Sequence, residues 1–587
     1  MSEIKEKYKI INTILDIVFT TISLLAVALL IAIVGFYLDY QQTKLVGTLM
    51  RVTTLVFVVQ EFIRWFIVKD LKSYLKKRLI ENILASLIIL QYIIQPIGYL
   101  TKITSFDFID ITFVYFGLLQ VIVFIAFFIR FFKYNAYIGR VKLHPVFITA
   151  ISFAVMIVIG TLFLMLPKAT PIDYSISFLD ALFTATSAVC VTGLNVIEIS
   201  SGFTTFGKII ILCLIQIGGI GVMVLSAFVA SFFLGGLSYK MRVMVKEMLS
   251  EDNLSEVSII LKRITIFTLT FELLGVVLLY FSLGSNLNEL DFNNLTLAIF
   301  HSISSFCNAG FYIIPDGLNN IGLHDNYFFL SVTMFLIIAG SLGYIVIYEI
   351  YIYYIYKIKK KIKKRLTLTS RIVLVTTISI IIIGSVLIII FNSFENEKWM
   401  SWTEKIYHGI FFVISGRGCG FSTINIGQLP TITLLIVSVI MWIGTSPGST
   451  GGGIKETTFT VIVLHFFNYI RGKEHVEIYH RRIDRGTILK SQMIFVSAFL
   501  VLFIVIFALV FFQPDMEFRD LVFESISAVS TTGLSTGITS DLITPSKIVI
   551  ILAMYIGRIG TLSFFLAFSS EKEELKYDIP SEKIIVG

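Results

Sequence analysis

Long apolar runs, separated by short polar and basic segments, dominate the pattern along this chain. Runs of about 20 apolar residues are long enough to cross a bilayer as a helix. Such runs predict four spans near residues 12–35, 47–68, 79–98 and 111–132. Further spans are predicted near residues 145–167, 206–235, 262–284, 325–356, 372–392, 430–468, 491–513 and 546–568. The pattern therefore predicts an all-α polytopic membrane protein.

After residue 140 the spans alternate with shorter, half-apolar stretches that end in a glycine motif. They read FTATSAVCVTGL, FHSISSFCNAGF, FFVISGRGCGF and FESISAVSTTGL, at Phe183–Leu194, Phe300–Phe311, Phe411–Phe421 and Phe523–Leu534. Their glycines, at 193, 310, 420 and 533, recur every 110–117 residues, which is a repeat signature. We therefore predict four units of span, re-entrant pore loop and span, arranged with pseudo-fourfold symmetry around one pore.

The composition agrees with a membrane protein and argues against a soluble one. Of 587 residues, 56% are hydrophobic and 15% charged, and the mean hydropathy is +0.88. The first apolar stretch has no cleavable signal pattern and is long enough to span, so we expect it to remain in the mature protein. The net charge of +8 is explained by basic cytoplasmic loops, and we predict no nucleic-acid partner.

The basic loops fix the predicted topology. With the N-terminus inside, the segments KDLKSYLKKR, YKMRVMVK, KIKKKIKKR and RGKEHVEIYHRRIDR all lie on one side. That side carries roughly 34 Lys and Arg against about 8 on the other, which is the direction of the positive-inside rule. We predict a multi-pass protein of the plasma membrane, surrounded by lipid, with both termini in the cytoplasm.

Five cations lie inside hydrophobic segments, namely Arg51, Arg64, Arg417, Lys455 and Arg558. Arg64 is one helical turn from Glu61, so a structural pair is expected there. Ionisable groups at membrane depth are costly and often mark a permeation path. Arg417, Lys455 and Arg558 therefore point to function.

The predicted pore loop has a physical rationale as a cation site. A short helix that enters the membrane partway directs the negative end of its dipole at the pore centre. Glycine in the extended segment that follows allows backbone angles that a side chain would forbid. Non-helical backbone at this depth is tolerated only inside protein or facing water. The third copy begins with Ser401-Trp402-Thr403-Glu404, a predicted capping box.

The stretch GTSPGSTGGGIKETTF, at Gly444–Phe459, interrupts the longest apolar run. A helix over residues 430–468 would be roughly 58 Å long against a core of about 30 Å, so we predict a break at 444–453. Close helix packing at these glycines is the alternative. A phosphate-binding loop is not expected, because Ile454 intervenes before Lys455 and Glu456 replaces the hydroxyl residue.

The other repeats carry glycines at the matching position, in IGGIG (217–221), AGSLG (339–343) and IGRIG (556–560). Arg558 then lies at the depth of the break. We expect its guanidinium to face the pore interior and either to donate to carbonyls of the broken segment or to pair with Glu272. Arg558 would latch the loop and oppose cations electrostatically.

On these motifs, residues 140–587 resemble the Trk/Ktr/HKT superfamily of potassium transporters. The resemblance implies one filter glycine per repeat, with glycine in all four copies typical of potassium-selective members and serine in the first typical of sodium-preferring ones. It implies a filter that binds potassium ions and is formed by Cys190, Val191, Thr192, Gly193, Cys307, Asn308, Ala309, Gly310, Arg417, Gly418, Cys419, Gly420, Ser530, Thr531, Thr532 and Gly533. It implies a gate at Gly444, Gly448, Gly451, Gly452, Gly453, Lys455 and Arg558. We expect Arg417 to pack behind the filter carbonyls.

Three of the four cysteines, Cys190, Cys307 and Cys419, fall in the predicted filter. A thiolate metal site and simple packing are both open, although the sequence has no Cys-x-x-Cys spacing there. Cys213 lies inside a span, which argues against a disulfide framework.

We predict an N-terminal membrane extension of about four helices at 1–140, four repeats at 141–240, 241–365, 366–485 and 486–570, and a cytoplasmic tail at 571–587. No Gly-x-Gly-x-x-Gly follows a strand, so no organic cofactor is expected in this chain and no enzyme activity. The resemblance implies a homodimer and a separate cytoplasmic nucleotide-binding regulatory subunit. Potassium uptake is the predicted function. The rivals are a sodium-permeable or sodium-coupled transporter of the same fold, an ATP-driven enzyme and a secondary transporter of organic solutes, which would show inverted repeats.

Overall fold

The computed structural model describes residues 2–67, 86, 145–221, 257–283, 294–315, 317–319, 321–358, 365–391, 400–473 and 475–567. Apart from residue 86, the predicted spans at 79–98 and 111–132 lie outside the described residues. The distal part of the span at 206–235, the tail at 571–587 and the side chains of Glu61 and Arg64 also lie outside them.

Two helices, α1 (Ser2–Gly35) and α2 (Tyr40–Ile67), pack side by side at the N-terminus. Helix α1 begins before the apolar run at residue 12, because Glu and Lys also favour helix and extend it toward Ser2. The pair is joined to the rest of the chain by Lys168, whose backbone N–H donates to the Gly35 carbonyl over 2.9 Å and whose ammonium donates to the Ile33 carbonyl over 2.9 Å.

Four sets of helices follow, each with an outer helix, a short helix and an inner helix. The first set is α3 (Pro145–Leu164), α4 (Phe178–Val189), the single turn α5 (Ile199–Gly202) and α6 (Thr205–Ile220). The second is α7 (Val257–Leu283), α8 (Asn294–Cys307), the single turn α9 (Ile321–His324) and α10 (Tyr327–Ile358). The third is α11 (Leu368–Ile390), α12 (Trp402–Gly416), α13 (Thr431–Trp442) and α14 (Glu456–Ile470). The fourth is α15 (Arg485–Phe512), α16 (Phe518–Val529), α17 (Thr544–Ile559) and α18 (Thr561–Ala567).

Short 3₁₀ turns at Gly317–Asn319, Ile426–Gln428 and Ile538–Asp541 follow the second, third and fourth short helices. Between the third and fourth sets, β1 (Glu477–Ile478) pairs antiparallel with β2 (Arg481–Arg482), with Ile478 opposite Arg481. Val461, Val476 and Ile483 form a small buried cluster beneath this hairpin.

The short helices α4, α8, α12 and α16 have 12, 14, 15 and 12 residues. At 1.5 Å per residue they reach only about 18–22 Å, less than a hydrocarbon core of about 30 Å. Each packs between the outer and inner helix of its own set. The predicted capping box is present at the start of α12, where Ser401 and Glu404 exchange hydrogen bonds.

Within the described residues, five helices are long and apolar enough to cross a membrane, at Tyr40–Gln60, Ile260–Leu283, Tyr327–Ile358, Leu368–Ile390 and Arg485–Phe512. The inner helices are shorter or bent because each leaves helical geometry at a glycine. Gly221, Gly343 and Gly560 have φ of 88°, 72° and 94°, angles that residues with a side chain rarely adopt. In the third set the chain is non-helical between Trp442 and Glu456, where the sequence predicts the break.

The four sets close into a ring. The inner helix of each set packs against the short helix of the next: α6 on α8, α10 on α12, α13 on α16, and α17 on α4. The buried core follows this ring and is largely apolar. The outer helices expose large apolar side chains, for example Phe503, Phe507 and Phe511 on α15. A broad exposed apolar surface of this kind is typical of a protein solvated by lipid.

Candidate functional site

The four motif glycines lie against one another at the centre of the ring. A Cβ built on Gly193 would lie 2.6 Å from the Ala309 carbonyl oxygen of the next loop. In the other three loops, a Cβ built on the glycine would lie even closer to a carbonyl oxygen of the neighbouring loop. The pairs are Gly310 with Cys419, Gly420 with Thr532, and Gly533 with Thr192. The four loops therefore form a closed ring in which only glycine fits.

Each short helix supplies a serine whose carbonyl orients the segment that follows. The backbone N–H of the residue just before the glycine donates to this serine carbonyl over 2.8–2.9 Å in every loop. The donor and acceptor pairs are Thr192 to Ser187, Ala309 to Ser304, Cys419 to Ser415, and Thr532 to Ser527. With the N–H groups bonded back toward the helix, the carbonyl oxygens of these residues are directed to the neighbouring loops.

The hydroxyls of the same serines hold the other end of each segment. Ser187 accepts from the Gly193 N–H over 3.1 Å, and Ser527 accepts from the Gly533 N–H over 3.0 Å. Ser304 bonds both backbone groups of Phe311, and Ser415 donates to the Phe421 carbonyl over 2.6 Å. These hydrogen bonds order the ring in the folded protein, so its carbonyl oxygens are already held in position before a ligand binds.

Three loops carry a residue with a side chain in the left-handed region, immediately after the short helix. Val191, Asn308 and Thr531 have φ of 55°, 60° and 48°. Such angles cost energy and persist where the surroundings enforce them. The third loop has Gly418 at this place and is one residue shorter between its serine and its glycine. The chain thus tolerates backbone strain in three of the four segments that form the ring.

The ring is rich in oxygen. Within the described part of the chain, the buried hydroxyls of Thr192, Ser530, Thr531 and Thr532 have no hydrogen-bond partner. Buried hydroxyls are costly to leave unpaired, and here they stand beside the carbonyls of the same segments. The C-terminal ends of all four short helices adjoin this ring, and their dipoles add negative potential. This environment favours a cation that has lost its water.

Cys190, Cys307 and Cys419 are buried and unpaired, whereas Cys213 is exposed on α6. Among the described residues, no three His, Cys, Asp or Glu side chains gather in a way that could hold a metal ion. The Cys307 thiol instead packs against Gly219 and lies 3.8 Å from the Glu272 carboxylate. The described geometry therefore favours packing over a thiolate metal site.

Arg417 caps the C-terminal end of α12, and its side chain bonds Thr377 of α11 and Glu456 of α14. Its guanidinium lies 2.6 Å from the Glu456 carboxylate, and the two side chains are 2% and 0% exposed. Thr377 on α11 donates to the same carboxylate over 2.8 Å. The Arg417 guanidinium is therefore occupied by Glu456 and Thr377, so it is the backbone of this residue that adjoins the ring.

The broken stretch of the third set forms a loop that is closed by a parallel bridge between Ile443 and Ile454. The Gly444 N–H donates to the Ile454 carbonyl over 3.0 Å, and the Ile454 N–H donates to the Trp442 carbonyl over 3.1 Å. Lys455 donates across the loop to the Gly451 carbonyl over 2.7 Å. Gly448 and Gly453 have φ of 73° and 74°, which explains why glycine is needed there.

This loop lies directly against the ring. A Cβ on Gly452 would overlap the Thr531 hydroxyl and approach the Ser530 carbonyl to 2.7 Å. Thr450 accepts from the Asn308 amide over 2.7 Å and donates to the Phe306 carbonyl over 3.2 Å. The loop therefore contacts the ends of the second and fourth short helices at once.

The loop is also bonded to the glycine break of the second inner helix. The Ser446 and Thr450 N–H groups donate to the carbonyls of Ser341 and Gly340 over 3.2 and 3.3 Å. The Ser446 hydroxyl donates to the Leu342 carbonyl over 2.6 Å. Since α10 leaves helical geometry at Gly343, carbonyls that an unbroken helix would use are available to the loop.

Arg558 joins the loop to the first and fourth sets. Its guanidinium donates to the Thr450 carbonyl of the loop and to the Gly218 carbonyl of α6. Of the two expectations for Arg558, bonding to carbonyls of the broken segment is therefore observed. Glu272 does not pair with it; the carboxylate accepts from the Gln216 amide at 2.9 and 3.1 Å.

A cavity of about 910 Å³ adjoins the loop. Its lining includes Gly448–Gly453, Lys455, Arg558 and the break glycines of the other three sets. Ser530 of the ring lines the same cavity, so the loop and the ring both border it. Among the described residues, three cations, Lys455, Lys490 and Arg558, line that space.

The sequence alone did not identify several residues of this site. In the sequence, Glu456 counts only as the residue that replaces the hydroxyl of a phosphate-binding loop. A buried Arg417 at membrane depth, however, requires a carboxylate partner, and this requirement points to an acid such as Glu456. The four serines recur five or six residues before each glycine, which is a spacing that could have been found. The sequence predicts that Arg558 donates to carbonyls of the broken segment, but no sequence signal identifies Thr450 and Gly218 as the acceptors.

Comparisons with known proteins agree with this geometry. The model of the TrkH family, described as cation transport protein, matches residues 143–577. The chain is similar to Ktr system potassium uptake protein B of Bacillus subtilis, with 32% identity over 76% of this chain and 98% of that protein. It is 34% identical to Ktr system potassium uptake protein B of Vibrio alginolyticus, over 75% of this chain and 94% of the relative.

A third relative is the potassium/sodium uptake protein NtpJ of Enterococcus hirae, with 33% identity over 76% of this chain and 98% of the relative. Among solved structures, the potassium transporter TrkH from Vibrio parahaemolyticus matches with a TM-score of 0.57 and 15% identity, over 89% of this chain and 97% of that chain. That likeness shows the shared helical fold.

Proposed function

Because this chain belongs to the TrkH family of cation transport proteins, we propose that it carries potassium ions into the cell across the plasma membrane. Two of the relatives named above are potassium uptake proteins. The observation that carries the proposal is the closed ring of four glycine-bearing loops, in which a backbone carbonyl of each loop lies against the glycine of its neighbour.

The ring is the proposed selectivity filter, formed by four span, pore-loop and span repeats around one axis. A potassium ion sheds its water and is coordinated by the carbonyl oxygens of the segments that end at Gly193, Gly310, Gly420 and Gly533. The helix dipoles compensate part of the lost hydration. Glycine leaves room for the ion, since any side chain there would meet a neighbouring carbonyl.

The loop at Gly444–Lys455 is the proposed gate. It lies against the filter on the side of the 910 Å³ cavity, so an ion leaving the ring meets the loop before reaching water. Arg558 holds the loop in place through the Thr450 carbonyl and repels cations. Release of this contact would open the path, while the filter itself stays fixed by its serine bonds.

We propose that both termini are cytoplasmic and that the chain works as a homodimer with a separate nucleotide-binding regulatory subunit on its basic face. Two of the relatives are named protein B of a Ktr system. A system with a protein B has at least one further component, which supports a separate subunit. The exposed apolar belt of the outer helices is available for lipid and for a second copy.

A second candidate function is uptake of sodium as well as potassium. It is favoured by the similarity to a potassium/sodium uptake protein. Glycine at position 193 argues against it, because serine there is the pattern of the sodium-preferring members that the chain resembles.

The test is cation uptake into vesicles that contain only this protein, measured for potassium, rubidium, sodium and lithium. We expect potassium and rubidium to enter and sodium and lithium to enter slowly. Equal uptake of sodium and potassium would establish the second candidate. No uptake of any cation, by protein that remains folded, would contradict the proposal.

A further inference from the structure

A second polar cleft, of about 180 Å³, lies between α7, the end of α10 and the segment that starts α11. The N-terminal part of α7, the C-terminal part of α10 and the N-terminal end of α11 meet here, so the cleft belongs to one face of the membrane. Arg263, Tyr348, Glu349 and Arg365 line it. The filter and the gate do not use these residues.

The depth of this cleft in the bilayer can be inferred from α10. That helix is bent at Gly343, and the residues after the bend, 344–358, alone extend about 22 Å at 1.5 Å per residue, which is more than half of a core of about 30 Å. Its last turns expose Tyr351, Tyr353, Tyr354 and Tyr356. Exposed tyrosines gather at the headgroup level of membranes. The cleft therefore opens where lipid phosphates lie.

The charges at the cleft are arranged for an anion. The Arg263 guanidinium lies 4.7 Å from the centre of the Tyr348 ring, a stacking contact that fixes its position. Among the described residues, no carboxylate lies within ion-pair distance of Arg263 or Arg365. Glu349 is engaged elsewhere, accepting from the Thr367 N–H and hydroxyl over 3.1 and 2.9 Å.

The sequence around the cleft points to the same ligand. Residues 357–365 read KIKKKIKKR and hold seven cations. A cluster of Lys and Arg directly after a membrane helix is the sequence sign of binding to anionic lipid. At 180 Å³ the cleft is smaller than the roughly 300–1,000 Å³ of sites for drug-sized ligands, so it fits a headgroup and not a nucleotide.

We propose that this cleft binds the phosphate headgroup of an anionic phospholipid, with Arg263 and Arg365 as the phosphate ligands. The guanidinium groups suit phosphate because they donate two bonds in a plane. The exposed tyrosines at the end of α10 place the cleft at the headgroup level of the membrane, which favours a lipid as the source of the phosphate. The proposal is independent of ion selectivity and goes beyond the uptake function.

The experiment is native mass spectrometry of the purified full chain in detergent, titrated with phosphatidylglycerol and, separately, with phosphatidylcholine. We expect the wild type to retain phosphatidylglycerol preferentially. Arg263→Gln and Arg365→Gln should each weaken that binding about fivefold, which corresponds to about 1 kcal/mol for each cation near a membrane surface. Glu349→Gln removes a negative charge from the cleft and should strengthen binding.

Lys357→Gln is the matched control, because Lys357 belongs to the same basic run but does not line the cleft. It should weaken binding less than either arginine change. If Arg263→Gln does not fold, as judged by thermal unfolding in phosphatidylcholine, Arg263→Lys serves instead and should also weaken binding, because an ammonium group cannot donate two bonds in a plane.

Three results would overturn the proposal. The first is a wild type without preference for phosphatidylglycerol, which would favour an acidic protein surface as the occupant. The second is an equal loss in Lys357→Gln and Arg263→Gln, which would indicate diffuse charge without a site. The third is displacement of the lipid by inorganic phosphate at similar concentration, which would indicate a site for the free ion.

Discussion

The guanidinium of Arg417 and the carboxylate of Glu456 form a 2.6 Å ion pair in which both side chains are buried. Arg417 ends the third short helix, directly before the filter segment, and Glu456 begins the helix that follows the broken loop. One interaction therefore ties the proposed filter to the far end of the proposed gate. This pair is the first target for mutation.

Removing one partner of this pair should destabilise the protein strongly. Arg417→Met or Glu456→Met leaves an uncompensated charge in the interior, which typically costs about 3–5 kcal/mol. The double variant removes both charges and should lose much less than the sum. Thermal unfolding of the four proteins in detergent gives the coupling energy. Additive losses would mean that the two groups do not stabilise each other.

Much of the site was predictable because its signals are local. The short helices and their glycines repeat at nearly constant spacing, and the capping box at Ser401 and Glu404 needs only four consecutive residues. The break after Trp442 follows from length, since a helix of that span would exceed the bilayer. Each of these features depends on one segment and its immediate chemistry.

The remaining features depend on residues that are distant in sequence. Arg417 and Glu456 are brought together only when α12 and α14 pack around α11. Arg558 bonds to the carbonyls of Thr450 and Gly218, which every residue type would offer. The order of contacts around the ring is likewise a property of the assembled helices. Periodicity predicts that such segments exist but not which neighbour each one meets.

The filter glycines should tolerate no side chain. Gly193→Ala places a Cβ 2.6 Å from the Ala309 carbonyl and requires φ near 95°, so we expect at least a tenfold lower ratio of rubidium to sodium uptake, equivalent to about 1.4 kcal/mol. Gly193→Ser should shift the ratio in the same direction. Both are measured by tracer uptake into vesicles.

Gly537 provides the control for the effect of backbone strain alone. It has φ of 102°, but a Cβ there would meet nothing within 4 Å. Gly537→Ala should therefore lower the unfolding temperature slightly and leave the rubidium to sodium ratio unchanged. If Gly537→Ala alters the ratio as much as Gly193→Ala, the contact at the ring is not the cause.

The capping box of α12 should make the stability of the protein depend on pH. Hydrogen bonds from the Ser401 backbone N–H and side chain hold the pKa of the Glu404 carboxyl below its ordinary value. A carboxylate with a lowered pKa stabilises the fold above the pKa of the unfolded chain, and this contribution is lost as the pH falls through the folded value. In Glu404→Gln the side chain at position 404 does not titrate. The difference in unfolding temperature between this variant and the wild type should therefore shrink as the pH is lowered. Parallel curves at all pH values would rule out a role for the carboxylate.

Ser401→Ala tests the other half of the same box. Loss of the serine cap should cost about 1 kcal/mol, because the Glu404 N–H then lacks the Ser401 hydroxyl as acceptor. The pH dependence should also weaken, since the side chain no longer supports the carboxylate. An unchanged unfolding temperature would show that solvent replaces the cap at this exposed end.

Arg558 distinguishes a latch from a simple electrostatic barrier. Arg558→Gln loses the charge and weakens the bonds to Thr450 and Gly218, and we expect potassium flux through the isolated protein to rise about tenfold, since a charged hydrogen bond contributes roughly 1.5–3 kcal/mol. Arg558→Lys keeps the charge but cannot bridge both carbonyls in the same geometry. A latch therefore predicts raised flux in both variants, whereas a barrier predicts raised flux only in Arg558→Gln.

Arg519→Gln, at the start of α16 and away from the cavity, is the control for loss of one positive charge. Because the bonds of Arg558 end on the loop and on α6, unchanged flux in Arg558→Gln would remove the gate role from this residue and leave it a structural one.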